Sequence, residues 1–521
     1  MNTLRSRRGF LADVGSGMLV ATVGYGLATD LGLTPALADE SERLTFGALE
    51  PLVGMMQETS ADRLVPAVVE LLNSGTELRQ LLAAAALANA RTFGGEDYVG
   101  FHTMMALAPA FHMASELPAE RRPLPVIKVL YRNTNRIQES GGRKAEVLRT
   151  VAGDCCLPEG VVGGELLRKD VRSKSMDQAE RTFATIAQGS PEDAFNSLLF
   201  AVQDNTDVHR VVLPYRAWDL LGLIGKEQAH TLLRQSVHYC VKAERDWPHS
   251  AASDRPRELL PKLLDQYKLL SRPLGTREAD DAWVDKLSQT IFSSTADQAA
   301  DAAAAALAEG MAPAAIGEAI TLAANQLVLR DVGRTEREVQ PGKPLGSVHG
   351  DSIGVHACDS ATAWRNMARV SNPRNTAACL ILGAYQVAYD RVNRGGDFLH
   401  WHPHPISAEL EPVKASDPDG LLKEAEAAIR ANDQMRACAV VHRYGELGHA
   451  HRPVFDLLLR FAISEDGALH AEKYYRTVSE EFGSTRAAFR WRQLTALARV
   501  TASEYGRPAP GYAEACEMLK V

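Results

Sequence analysis

Alanine and leucine recur at helical spacing along this chain, in four successive stretches that follow one plan. Each stretch has an apolar helical segment, a Gly or Asn stop, a second apolar segment, and a histidine in or near the start of a third. The stops are Gly75, Gly189, Gly310 and Asn432, which lie 114, 121 and 122 residues apart. Gly and Asn tolerate the left-handed backbone that ends a helix. No sustained run of alternating β-branched residues occurs, so the sequence predicts an all-α fold.

The nearly constant period predicts four helical quasi-repeats of about 115–120 residues. Their bounds are about 60–175, 176–295, 296–415 and 416–521, inside one domain of residues 39–521. Stacked helical units bury faces that a single unit leaves exposed, so we expect a curved or closed array with its function on the concave side. The alternative is a chance spacing among 15 histidines in an alanine-rich chain.

Composition excludes several classes of function. The net charge of -8 disfavours nucleic acid and anionic lipid as partners. Seven cysteines form no CxxC or CxxCH motif, which excludes covalent c-type haem and zinc-ribbon sites. The sequence has no GxGxxG after a strand, GxxxxGK, HExxH or GxSxG motif, so nucleotide-binding, zincin and serine-hydrolase functions have no support.

The densest histidine cluster is His400, His402 and His404 in the segment LHWHPHP. Pro403 and Pro405 favour an extended backbone, in which alternate side chains point the same way. Three imidazoles on one side can bind one metal ion. The alternative is an ordered loop whose histidines meet solvent or carboxylates.

A second candidate pair is His349 and His356, which are seven residues apart and share a face if their segment is helical. Asp359 follows one turn later, where a carboxylate orients an imidazole or itself binds the ion. The alternative is a helix start that Asp351 and Ser352 cap, with both histidines packed against neighbours.

The histidines of the third segments extend this set, because equivalent positions in an array are expected to face a common cavity. The sequence therefore predicts metal ligands among His349, His356, Asp359, His102, His209, His400, His402 and His449. Nothing in the spacing distinguishes zinc, copper, nickel or iron.

The N-terminus carries the sequence SRRGFL at residues 6–11, a weakly apolar stretch at 14–29 and the small residues ALA at 36–38. It resembles a bacterial twin-arginine export signal over residues 1–38. The resemblance implies cleavage and transport of a folded chain to the periplasm or the exterior, with a cofactor or partner loaded beforehand. Four glycines within this stretch, a fifth at Gly32, and the flanking Asp13 and Asp30 make it too short and too polar for a stable membrane span.

The overall pattern of an all-helical chain with histidines at the heads of successive helices resembles the questin-oxidase-like proteins. That resemblance implies oxygen-dependent chemistry and covers most of the chain after residue 38. It carries no individual catalytic residue onto this sequence.

Two functions follow from these patterns. The first is an exported, histidine-ligated, metal-dependent oxidoreductase acting on a small-molecule substrate. The second is a non-catalytic helical-repeat scaffold that binds a partner protein or a small ligand and is exported with it. The positions of the histidines distinguish the two functions. A metalloenzyme needs three or more of these histidines around one point, whereas a scaffold spreads them over separate units.

Overall fold

The computed structural model describes residues 43–393 and 395–521, of which Phe46–Val521 form one compact unit. In this part of the chain the regular structure is helical, with no β-strand and only isolated bridges. The predicted all-α class is therefore confirmed. None of the helices described is long and apolar enough to cross a membrane. The predicted export signal at residues 1–38 lies outside the described residues.

The first half of the unit holds eleven helices among the described residues. They are α1 (Glu50–Glu58), α2 (Ala61–Asn73), α3 (Leu78–Phe93), α4 (Tyr98–Ser115), α5 (Pro123–Glu139), α6 (Gly163–Arg172), α7 (Met176–Ile186), α8 (Pro191–Val202), α9 (Val208–Ile224), α10 (Ala229–Asp246) and α11 (Arg255–Gln266).

Twelve more α-helices follow in the described part of the second half. They are α12 (Asp281–Ser293), α13 (Ala296–Ala308), α14 (Pro313–Arg330), α15 (Ile353–Val370), α16 (Pro373–Asn393), α17 (Ser407–Leu410), α18 (Pro418–Arg430), α19 (Gln434–Glu446), α20 (Arg452–Ser464), α21 (His470–Ser484), α22 (Trp491–Glu504) and α23 (Tyr512–Leu519).

The helix starts follow the predicted period. Helices were expected near residues 65, 179, 299 and 422, and α2, α7, α13 and α18 begin at 61, 176, 296 and 418. Gly75, Gly310 and Asn432 have φ of +98°, +82° and +53°, the left-handed backbone expected of a helix stop. Gly189 does not adopt a positive φ. The equivalence of the four units in space stays a prediction.

Four helices enclose a buried interior into which several histidines project. Helix α4 packs on α9, α9 on α15, α15 on α21, and α21 on α4, so the four form a closed circuit. A glycine allows α15 of this circuit to pack closely against the neighbouring α14. A Cβ on Gly354 of α15 would lie only 2.7 Å from the backbone nitrogen of Val328 in α14, so glycine is needed where these two helices meet. The circuit therefore brings together residues that are far apart in sequence.

Two buried ion pairs fix α21 in this circuit. Lys128 of α5 pairs with Glu472, with Nζ and Oε1 2.6 Å apart and both side chains at most 3% exposed. Lys128 also donates to the carbonyl oxygens of Ala462 and Glu465. Arg365 of α15 pairs with the buried Glu481 further along α21. Because buried charges are tolerated only when they are paired, these contacts specify where α21 lies.

Candidate functional site

Four histidine rings meet inside the circuit, one from each of its helices. They are His102 of α4, His209 of α9, His356 of α15 and His470 of α21. The ring centroids are 4.8 Å apart for His102 and His209, 5.3 Å for His102 and His470, 5.3 Å for His356 and His470, and 6.1 Å for His209 and His356. Each ring thus contacts two others, and we call this group the histidine tetrad.

Two tetrad members are oriented by groups behind them. His102 Nδ1 donates to the carbonyl oxygen of Tyr98 at 2.7 Å. His209 Nδ1 lies 3.8 Å from Oδ2 of Asp207, the residue that also caps α9. The hydrogen bond of His102 favours a proton on Nδ1 and leaves a lone pair on Nε2, whereas Asp207 is close enough to His209 only for an electrostatic contact. Both Nε2 atoms are buried without a hydrogen-bond partner in the described protein. A carbonyl or carboxylate behind the ring is the usual support of a metal-binding histidine.

The other two members face each other directly. Nε2 of His356 and Nε2 of His470 are 3.2 Å apart. Two lone pairs at this distance repel, so the nitrogens either share one proton or bind one cation.

Burial keeps the imidazoles of His470 and His102 neutral. It is the main reason that the pKa values of His470 and His102 lie far below the ordinary range, and the nearby Lys473 lowers both further. Burial also lowers the pKa of Lys473 to about 8. A neutral imidazole is the form that binds metal ions. Binding of a metal ion would therefore not require His102 and His470 to lose a proton first.

His470 reaches the tetrad through a tight approach of the chain before α15. A Cβ on Gly350 would lie 2.2 Å from Cβ of His470, so only glycine fits between them. Ala468 and Leu469, just before α21, have φ of +49° and +69°. This left-handed turn places His470 at the first position of the helix.

The hydrogen bond shown for the Asp359 carboxylate goes to α21 and not to a tetrad ring, and the expectation that it orients or joins the ligands stays a prediction. Asp359 is buried on α15, one turn beyond His356, and accepts a hydrogen bond from Thr477 Oγ1 at 2.8 Å. Burial raises the pKa of its carboxyl. The nearby charges of Lys473 and Arg216 lower this pKa in part.

His349 does not share a helix face with His356, because α15 begins only at Ile353. Ser352 is the N-cap and accepts from the backbone N–H of Val355, as the capping alternative proposed. His349 lies in the preceding turn and lines a cavity beside the tetrad.

His400, His402 and His449 lie apart from the tetrad. The exposed His400 pairs with Asp397 at 2.6 Å, and His402 is exposed to solvent. His404 hydrogen bonds to Glu409, so His400 and His404 have separate carboxylate partners while His402 faces solvent. His449 Nε2 contacts the carbonyl oxygen of Ser416 at 2.9 Å. Of the eight predicted ligands, the structure brings His102, His209 and His356 together.

Sequence reasoning did not place His470 in the site. A weak signal was present: His209 and His230 are 21 residues apart, and so are His449 and His470. This register makes His470 the counterpart of His230 rather than of His209. Only the contact between α21 and α4 brings its ring to His102.

The tetrad is not a set of ligands already in place. Across residues 43–393 and 395–521, no group of three or more His, Cys, Asp or Glu side chains is arranged to hold a metal ion. A single pair, His356 and His470, has its nitrogens at the separation of two ligands of one ion. Metal binding would therefore require His102 and His209 to turn.

A cavity of about 240 Å³ adjoins the tetrad. His102 and His470 contribute to its wall, together with Tyr98, His349 and Glu504. Two rings of the buried tetrad are thereby within reach of a small molecule.

Glu504 gives the cavity a pH-dependent charge. Its Oε1 accepts from the backbone N–H of Gly350 at 3.0 Å, and burial raises the pKa of its carboxyl from 4.5 to about 7. As pH rises from 4.5 to 7, the unfolded chain releases this proton first, so the folded state loses stability over that range.

We expect Glu504→Gln to remove this pH dependence, since glutamine keeps the acceptor for Gly350 and carries no proton to lose. Between pH 4.5 and pH 8 the variant should gain up to about 3 kcal/mol of unfolding free energy relative to the wild type. Urea unfolding at pH 4.5, 6 and 8 measures the difference. A difference that is the same at all three values would show that Glu504 titrates normally.

Comparisons with protein-family models, curated proteins and solved structures found no match for this chain.

Proposed function

We propose that the protein is a metal-dependent oxidoreductase whose ion is bound by the histidine tetrad. The observation that carries the proposal is the convergence of four imidazoles from four separate helices at one buried place. A scaffold built from stacked units has no need to bring one histidine from each of four helices into contact. Buried polar nitrogens without partners are costly, and a cation would satisfy them.

The spacing of His356 and His470 suits two ligands of one ion. With nitrogen ligands at about 2.1 Å, tetrahedral geometry puts neighbouring Nε2 atoms roughly 3.4 Å apart and ring centroids roughly 5 Å apart. The Nε2 atoms of His356 and His470 are separated by 3.2 Å, and the four centroid distances run from 4.8 to 6.1 Å. Binding would draw His102 and His209 inward, which is the ordinary coupling of metal binding to local order.

The ligand set and the cavity together favour redox chemistry. Four nitrogen ligands complete the coordination of zinc, which would leave no position for a substrate. Imidazole also suits iron and copper, which take five or six ligands and keep positions open. The bound ion would supply electron transfer to or from a substrate in the cavity. The protein would hold that substrate beside His102 and His470 and keep bulk water from the tetrad.

We also propose that the protein acts outside the cytoplasm, after twin-arginine export. The tetrad gives a physical reason for export in the folded state, because its ligands come from helices as far apart in sequence as α4 and α21. Such a site forms only once the chain has folded, so the metal would be acquired before transport.

The alternative is a non-catalytic helical module. It is favoured by the lack of a preformed ligand set in the residues described. In that case His356 and His470 share one proton and form a buried hydrogen bond that holds α15 against α21.

Elemental analysis of the protein purified from its host separates the two functions. We expect about one transition-metal ion per chain, bound through nitrogen. Removal with a chelator followed by titration with Co²⁺ should give absorption bands of a nitrogen-ligated ion and a rise in the melting temperature. A protein that holds no transition metal as isolated and takes up no Co²⁺ would be the scaffold.

A further inference from the structure

The cavity beside the tetrad is small and has charged walls. Its volume of about 240 Å³ lies just below the range of about 300–1,000 Å³ usual for ligand pockets. Tyr98, Val99 and Leu469 give it an apolar side, next to the rings of His102 and His470. It therefore suits a small ligand with an apolar body.

Two of the three cations on its wall are already neutralised. Arg132 pairs with Asp466. Lys343 pairs with Asp351, with Nζ and Oδ2 2.6 Å apart. Neither side chain has a free charge to offer a ligand without breaking its own ion pair.

Arg507, the third cation on the wall, differs from Arg132 and Lys343 in its ion pairing. No ion pair joins its guanidinium to a carboxylate within residues 43–393 and 395–521, although it lies half-buried on the cavity wall. Its side chain is held in place by the loop at Gly342, where an added Cβ would lie 2.6 Å from Cδ of Arg507. Gly342 has φ of +74°, so glycine also suits the backbone there. Arg507 is thus a positioned cation without a protein counter-ion in the structure described.

The remaining acid on the wall does not cancel this charge by contact. Glu504 directs Oε1 to the backbone of Gly350 and forms no salt bridge in the described chain. Burial raises the pKa of its carboxyl to about 7, so much of it is neutral at and below neutral pH.

We propose that this cavity binds a small organic carboxylate, with the carboxylate on Arg507 and the apolar body against Tyr98, Val99 and Leu469. The guanidinium offers a planar pair of N–H donors that match a carboxylate. The inference depends on the proposed function for the role of that ligand as substrate, but the binding itself needs no metal.

Calorimetric titration with benzoate, and with benzamide as its neutral counterpart, tests the proposal on metal-free protein. We expect benzoate to bind at least about tenfold more tightly than benzamide, and Arg507→Gln to abolish most of that preference. Arg79→Gln is the matched control, because Arg79 is exposed and lines no cavity described here. Arg507→Lys should bind benzoate more tightly than Arg507→Gln, which separates lost charge from a disturbed fold.

The benzoate titration can fail or succeed independently of the elemental analysis for metal. Benzoate that binds through Arg507 to a protein with no affinity for metal would support this inference and overturn the proposed oxidoreductase. Equal affinities for benzoate and benzamide, no binding of benzoate, or an unchanged preference in a folded Arg507→Gln would overturn this inference, even if the tetrad holds a metal ion.

Discussion

The variant His356→Ala is expected to purify folded and free of metal. The ring of His356 would supply one of the four ligands. Its Nε2 lies 3.2 Å from Nε2 of His470. Loss of a supporting residue behind a ligand already weakens metal binding by about 10–100-fold, so loss of the ligand itself should weaken it by more than roughly 100-fold. Metal content after purification should fall from about one ion per chain to near zero.

The same variant should keep its fold, which distinguishes a ligand from a core residue. Compared in the metal-free state, His356→Ala and the wild type should differ by no more than about 2 kcal/mol in unfolding free energy. Far-ultraviolet circular dichroism and urea unfolding measure this.

His449→Ala is the matched control, because the sequence placed both histidines among the ligands. The structure puts the His449 ring against the carbonyl of Ser416, away from the tetrad. Metal retained by His356→Ala, or lost from His449→Ala, would contradict the assignment.

The second large effect concerns the ion pair that holds α21. Lys128→Met should lower the unfolding free energy by about 3–5 kcal/mol, because it leaves the carboxylate of Glu472 buried without its cation. It also removes the donor to two backbone carbonyls. Urea unfolding of the metal-free protein measures the loss without a contribution from bound metal.

A double variant identifies the cause. Lys128→Met with Glu472→Gln removes both charges and should recover much of the lost stability, with the remainder reflecting the carbonyls that lost their donor. Arg143→Met is the control for an exposed pair, since Arg143 and Glu58 are 42% and 55% exposed. It should cost at most about 1 kcal/mol. A double variant as unstable as Lys128→Met would show that the unpaired carboxylate is not the source.

The helices were predictable because their signals are local. Ser352 caps α15 and Gly310 ends α13 through contacts with residues a few positions away, so residue type alone indicates both. The period of the helix starts follows from the same signals. The sequence therefore determined the all-α class and the approximate bounds of these elements.

The local signals also have a limit, which His349 illustrates. A spacing of seven residues predicts a shared face only if the helix extends over both positions. Because Ser352 caps α15, the helix does not extend back to His349. Gly350 instead leaves room for the side chain of His470 to pack against this segment.

The membership of the tetrad was decided only by tertiary structure. The sequence nominated His449 and not His470, but α20 begins at Arg452, with Pro453 in its first turn, and leaves His449 in the preceding loop. His470 opens α21, which packs on α4 and α15 and is fixed there by buried ion pairs. A spacing pattern records positions along one helix, whereas these contacts join residues more than one hundred positions apart. The sequence could thus nominate histidines, and the packing of four distant helices selected which ones meet.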